Sequence, residues 1–246
     1  MTTVYCGATR MALTSQQLAK ELETMVAKRR AFWEHPWIQK FRRAELSKEQ
    51  VRHWVEQQFY LTGRVHDLIG PLYVNCEDAE ARVHILDNLI EEETGRMSKS
   101  APHPELYLRL GCALGSTRET MLNIRPLPES VALRTWWIWV VAHRPFAEGL
   151  ASVSIAGEAQ VPGAGFEFAR IMEEKYGLTH EQTAFWWVHV EADKEHGGSA
   201  VEMVSKLART DEEQKRVRDV VDHTLELLWR FFDGLELAYG LQRKAA

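Results

Sequence analysis

The strongest constraint on this chain is a helix-start signature that keeps returning. Thr14-x-x-Gln17, Ser47-x-x-Gln50, Ser116-x-x-Glu119, Thr179-x-x-Gln182 and Thr210-x-x-Glu213 each place a hydroxyl three residues before an amide or carboxylate. At that spacing the two side chains satisfy backbone N–H groups that a first helical turn leaves open. Each signature opens a run with helical apolar spacing. Val51, Trp54, Val55, Gln58 and Leu61 follow Ser47, and Val217, Val220, Val221, Leu225, Leu228, Phe231 and Phe232 follow Thr210. No convincing alternating strand pair appears. The pattern predicts an all-α bundle with long helices at about 15–33, 48–73, 77–94, 129–159, 163–176, 180–208 and 211–241. Shorter pieces are expected near 35–43 and 103–123. Residues 1–13 read as an N-terminal tail and 14–246 as one domain. The Gly/Pro-rich turn Gln160–Gly165 breaks a helix and does not link domains.

A hydrophobic fraction of 45% with nine tryptophans supplies ample core. A net charge of -5 with interspersed signs argues against a nucleic-acid partner. Cys6, Cys76 and Cys112 are scattered and odd in number, which points to reduced thiols rather than a disulfide framework. No signal-peptide core precedes Thr14 and no run is long and apolar enough to span a membrane. The expected setting is cytoplasmic.

The chemistry concentrates in His189-Val190-Glu191-Ala192-Asp193-Lys194-Glu195-His196. His189, Asp193 and His196 stand four and then three residues apart, which returns to one face of a helix. Two imidazoles and a carboxylate make an N/O donor set suited to iron, manganese or zinc. Solvated surface explains two such histidines equally well in isolation, and Glu191, Lys194 and Glu195 do read as a wet face. The flanking Phe185, Trp186, Val188, Ala200, Met203 and Val204 place the stripe on or beside an apolar side, where an unpaired charge is costly.

A metal site needs ligands from further helices. Glu158 interrupts the small, uncharged run Ala151–Ala159 and reads as a buried carboxylate, against the alternative of a helix-end acid facing water. In Glu91-Glu92-Glu93, Glu92 continues the stripe of Ile85 and Leu89, and Glu93 that of Leu86, Leu89 and Ile90. Periodicity leaves those two open. Glu91 falls with His84, Asp87 and Asn88 and reads as solvated. His103 opens a helix after a loop, a place where a cap is commoner than a ligand.

Together these residues resemble the haem-oxygenase-like diiron oxidase and oxygenase family, related in fold to pyrroloquinoline quinone synthase C and the thiaminase II group. The likeness runs from about Phe32 to Arg243 and is carried by Leu86–Gly95, His103-Pro104-Glu105-Leu106 with Ala113-Leu114-Gly115, Gly157–Pro162, His189-x-x-x-Asp193-x-x-His196 and Leu228–Arg243. The resemblance implies a haem-oxygenase-like bundle and six metal ligands: Glu92, His103, Glu158, His189, Asp193 and His196. It favours Glu92 over Glu93. Glu92, Glu158 and Asp193 are then also the expected catalytic carboxylates. The loop between Glu92 and His103 is longer than the family's usual spacing. Ile38 stands where a p-aminobenzoate-forming branch carries a tyrosine that it consumes, so that self-consuming chemistry is not implied here.

The family resemblance further implies two Fe(II) ions, with manganese or a mixed iron–manganese pair as alternatives, O2 as co-substrate, and an external electron donor. The expected substrate is a small amine or carboxylate, such as an amino acid, undergoing N-oxygenation, desaturation or oxidative C–C cleavage. Arg64, His66, His143 and Arg144 are candidate substrate contacts, with structural ion pairing as the competing role. Two other readings compete: a metal-independent oxidase or thiaminase-like hydrolase, and a non-catalytic interaction protein on the same fold. Apolar Trp229, Phe231, Phe232, Leu235 and Leu237 on the last helix suggest a homodimer. The segment 189–199, weakened by Gly197-Gly198, is expected to be the part most sensitive to metal.

Overall fold

The computed structural model describes residues 11–161, 163–189 and 199–240. Among them every regular element is helical. Three of the five signatures close as reciprocal caps, at Thr14 before α1 (Ser15–Ala27), Ser47 before α4 (Lys48–Thr62) and Thr210 before α14 (Asp211–Tyr239). The Thr179–Gln182 pair also forms both bonds, although only turns follow it directly. Ser116 does not cap. Thr117 accepts the N–H of Thr120 and starts α8 (Arg118–Leu122), while the Ser116 hydroxyl donates to the buried Glu56.

The longest predicted helices are broken in the structure. The first stops at Lys28 and resumes as α2 (Ala31–Glu34), with α3 (Pro36–Arg42) after it. The second divides at Gly63–Val65 into α4 and α5 (His66–Asn75). The third, α6 (Ala79–Thr94), is capped by Asp78. α7 spans His103–Ala113, separate from α8. The run 129–159 divides because Pro145 pushes Arg144 into an extended conformation. It becomes α9 (Pro128–His143) and α10 (Phe146–Leu150), which continues as a π-helical segment Ala151–Gly157 and a 3-10 turn Glu158–Gln160. α11 (Ala164–Tyr176) follows, then helical residues 184–189, here α12, and α13 (Ser199–Leu207).

α14 is the spine. It packs on α9, the π-helical segment, α1 and α4, while α4 pairs with α7 and α6 lies against α5 and α7. Phe41, Trp54, Phe168, Trp186 and Phe232 interlock mostly edge to face at its centre. Phe231, Phe232 and Leu235 are fully buried in this core and serve as packing material within the chain. Leu237 alone of that group is fully outside, and Trp229 rests on His35. Among the described residues no helix is long and apolar enough to cross a membrane.

Candidate metal centre

Three side chains from three elements meet between α6, α7 and α12. Glu92 sits in the last turn of α6, His103 opens α7, and His189 lies at the end of the described part of α12. Their ligand atoms all fall within 4.8 Å of one another. Glu92 Oε1 is 3.0 Å from His103 Nδ1 and 3.9 Å from His189 Nε2.

Local structure explains the meeting. α6 ends because Gly95 takes a left-handed conformation, at φ 61°. A side chain there would strike the Ser100 carbonyl at 2.5 Å. The Ser100 N–H bonds back to the Gly95 carbonyl and closes the loop. Pro102 then starts α7 pointing back at the helix just left. On the other side, Glu173 of α11 accepts the Thr183 hydroxyl at 2.6 Å and the Trp187 indole N–H at 2.9 Å, which fixes the approach to α12.

Each imidazole has one nitrogen committed elsewhere. His189 Nδ1 lies 2.7 Å from the Phe185 carbonyl, so it carries the proton and Nε2 keeps its lone pair toward Glu92. His103 Nε2 faces Glu91 Oε1 at 3.3 Å. With the proton there, Nδ1 presents a lone pair to the Glu92 carboxylate. That contact is close but not aligned as a hydrogen bond, and Nδ1 is a buried nitrogen without a hydrogen-bond partner. Two lone-pair donors and a carboxylate converging in a buried corner call for a cation or a proton between them. A carboxylate behind a histidine ligand is also the usual outer support of such sites. Two imidazoles and one carboxylate is a donor set that suits non-haem Fe(II). The residues present therefore fit iron.

Burial disfavours charge on both histidines, with opposite outcomes. On His103 the burial effect is outweighed by Glu92 and Glu91, and the pKa rises above the ordinary value. On His189 burial prevails over the more distant Glu92, and the pKa falls.

Glu91 was read from the sequence as solvated, and the structure corrects this. The last turn of α6 bends its side chain inward, where it accepts the backbone N–H groups of Met97 at 2.6 Å and Ser98 at 3.2 Å besides facing His103. Its helical stripe gave no hint, because the loop that covers it is recruited from residues 95–100. Glu158 is corrected in the other direction: it is exposed at the junction of the π and 3-10 turns, though on the same cavity wall. Glu93 points away to His66. Asp193 and His196 lie outside the described residues, as does most of the segment 189–199.

A cavity of about 250 Å³ opens beside the cluster. Phe32, Trp137, Phe185, Trp186 and Phe231 supply apolar walls, and Gln58, Tyr107, Glu91, Glu92, His103 and His189 supply polar ones. None of the four predicted substrate contacts lines it. Arg64 is exposed and holds Asp67, His66 holds Glu93, His143 is exposed, and Arg144 holds the buried Glu148. Arg64, His66 and Arg144 thus make ion pairs outside the cavity, and His143 lies against Trp139. Cys76 and Cys112 also lie off the cavity; burial pushes the Cys76 thiol up, away from nucleophilic reactivity.

Fold and cluster together define a class: a single haem-oxygenase-like helical domain with a candidate metal centre. The chain belongs to the iron-containing redox enzyme family, whose model matches residues 52–229. It is similar to a 4-aminobenzoate synthase from Nitrosomonas europaea, with 28% identity over 89% of this chain and 92% of the relative. A pyrroloquinoline-quinone synthase from Klebsiella pneumoniae shares 23% identity over 95% of this chain and 93% of its own. Among solved structures, a TenA homologue from Pseudomonas syringae superposes with a TM-score of 0.75 at 17% identity, covering 96% and 98% of the two chains. A protein with a heme oxygenase-like fold from Shewanella denitrificans gives 0.68 at 18% identity, with 94% of each chain covered.

Proposed function

We propose that this chain is an O2-activating non-haem diiron oxidase or oxygenase acting on a small amine or carboxylate metabolite. The observation that carries the reading is the trio Glu92, His103 and His189, in which each imidazole has one nitrogen held by a neighbour and the other turned to a shared carboxylate. These three would hold one iron. Glu158, on the same cavity wall, and Asp193 and His196, outside the described residues, would complete a pair of ions. When bound, iron supplies the electrons that reduce O2, with an external donor restoring them.

The protein's own part is positional. Glu91 and the Phe185 carbonyl fix the two imidazoles, and the aromatic walls keep water from the reacting centre. Relatives named for making an aminobenzoate and a quinone cofactor support a compact, ring-sized substrate that carries amine or carboxylate groups. Among the described cavity residues there is no cysteine to support the cysteine-dependent hydrolase reading.

Anaerobic Fe(II) titration followed by O2 tests this reading. The expected result is uptake of about two iron per chain and a transient visible absorbance on oxygenation. Failure to take up metal would sink it and leave the metal-free oxidase or the non-catalytic protein.

A further inference from the structure

We infer that Gln58 is the polar anchor of the cavity, donating its side-chain amide N–H to an acceptor oxygen on an otherwise apolar, ring-sized substrate. The inference rests on the reading of this cavity as the substrate site, and it names the end of the substrate that the protein grips.

Gln58 lies on the inner face of α4, one turn after Trp54, and is only 7% exposed. Its Oε1 accepts the Trp54 indole N–H at 2.8 Å. An indole nitrogen donates and never accepts, so this bond fixes which way round the amide stands. The NH2 group must then point away from Trp54. Trp54 itself is locked in the aromatic centre against Phe41, Phe168 and Trp186, so the amide cannot turn over by moving its partner.

Gln58 lines the cavity, and its Nε2 has no acceptor among the described residues. Both N–H bonds of this amide are therefore available to an acceptor in the cavity. The hydroxyl of Tyr107, 1% exposed and lining the same cavity, is likewise without a partner. Beside these donors stand Phe32, Phe185 and Trp186. A flat apolar body with a carbonyl, carboxylate or hydroxyl oxygen at one end matches such a wall.

The test needs no turnover and no metal. Acetophenone and α-methylstyrene have the same shape and differ in the acceptor oxygen alone. Their dissociation constants for the metal-free protein are measured by NMR on the indole N–H resonances, in wild type and in Gln58→Met, with Gln58→Leu as a second variant. Thermal melts establish that each variant is folded. Loss of the amide is expected to weaken acetophenone roughly three- to tenfold relative to α-methylstyrene, the worth of one neutral hydrogen bond. An unchanged ratio in both variants, or no binding of either probe, overturns the inference. Fe(II) titration of the same variants separates the two readings. Iron uptake with an unchanged probe ratio rejects the anchor and leaves the enzyme reading intact. A shifted ratio without iron uptake leaves the anchor standing and rejects the diiron site.

Discussion

His103 and His189 face the same carboxylate, yet they answer burial differently. His103 has a carboxylate at each nitrogen, Glu92 at 3.0 Å and Glu91 at 3.3 Å. His189 has Glu92 at 3.9 Å on one nitrogen and a neutral carbonyl on the other. Desolvation opposes the imidazolium in both cases. Two nearby carboxylates overcome it at His103, and one more distant carboxylate does not at His189. The same corner therefore raises one imidazole pKa and lowers the other, chiefly because Glu92 stands closer to His103, with Glu91 adding to the effect.

The largest expected effect removes what the two histidines share. Glu92→Ala should lower Fe(II) affinity on the order of 100-fold or more, since it takes away a ligand rather than its support. His103→Ala and His189→Ala should do the same. Equilibrium dialysis against Fe(II) measures it. Glu93→Ala, which removes only the exposed partner of His66, should leave affinity near wild type. A Glu93 variant as damaging as the Glu92 one would show that α6 presents the wrong acid in this register.

Next comes Glu91, which adds to the inequality between the two sides. Glu91→Ala frees His103 Nε2 and also releases the Met97 and Ser98 N–H groups, so a loss of about 10- to 100-fold in Fe(II) affinity is expected. Glu91→Gln keeps an acceptor for the imidazole and should recover part of it. If Glu91→Ala binds iron as wild type does, the carboxylate behind His103 is ornamental.

Titration of the metal-free protein by imidazole NMR sharpens the comparison further. His103 should titrate above the ordinary value of about 6.5 and His189 below it. A raised native pKa stabilises below the unfolded value, and that stability is lost as pH rises through the native one. A lowered native pKa acts oppositely, and stability falls as pH drops beneath the unfolded value. In Glu91→Ala the His103 midpoint should move down toward that of His189. If the two histidines titrate together in wild type, the asymmetry is absent.

Much of this was legible in the sequence because it depends on local periodicity. The caps at Thr14, Ser47 and Thr210 and the helical class follow from residues a few positions apart, whereas periodicity left Glu92 and Glu93 open and the family resemblance favoured Glu92. What the sequence hid depends on chain reversal or on distant packing. Glu91 looked wet because its cover is a loop closed by Gly95. Gln58 was visible as part of an apolar stripe, but the bond to Trp54 that turns its amide inward was not. The breaks at Gly63 and Arg144 were masked by continuous apolar spacing across them, and they carry Arg64 and Arg144 off the cavity. The burial of Phe231 and Phe232 is hidden in the sequence because the aromatic centre they fill is assembled from helices far apart in the chain.

The smallest effect uses a third buried histidine, remote from the cluster, to test the same rule. His35 caps α3, accepting the Trp37 N–H at Nδ1 and donating from Nε2 to Asp233 at 3.1 Å. Burial lowers its pKa, and the partly exposed Asp233, helped by Glu236 and opposed by Lys40, does not reverse this, which places His35 with His189 rather than His103. Protonation would also take away the cap, because Nδ1 could no longer accept. His35→Asn retains an acceptor for the cap and loses the Asp233 bond, at roughly 1 kcal/mol near neutral pH. Below about pH 6.5 the unfolded wild type takes up a proton that the native state declines, so wild-type stability falls while the variant has no such slope. The stability gap between the two proteins, read from urea midpoints at about pH 7.5 and 5.5, should therefore narrow on acidification. A gap that widens would mean that Asp233 and Glu236 hold His35 charged in the native state, and one hydrogen-bonded carboxylate with a more distant second would then suffice to overcome burial.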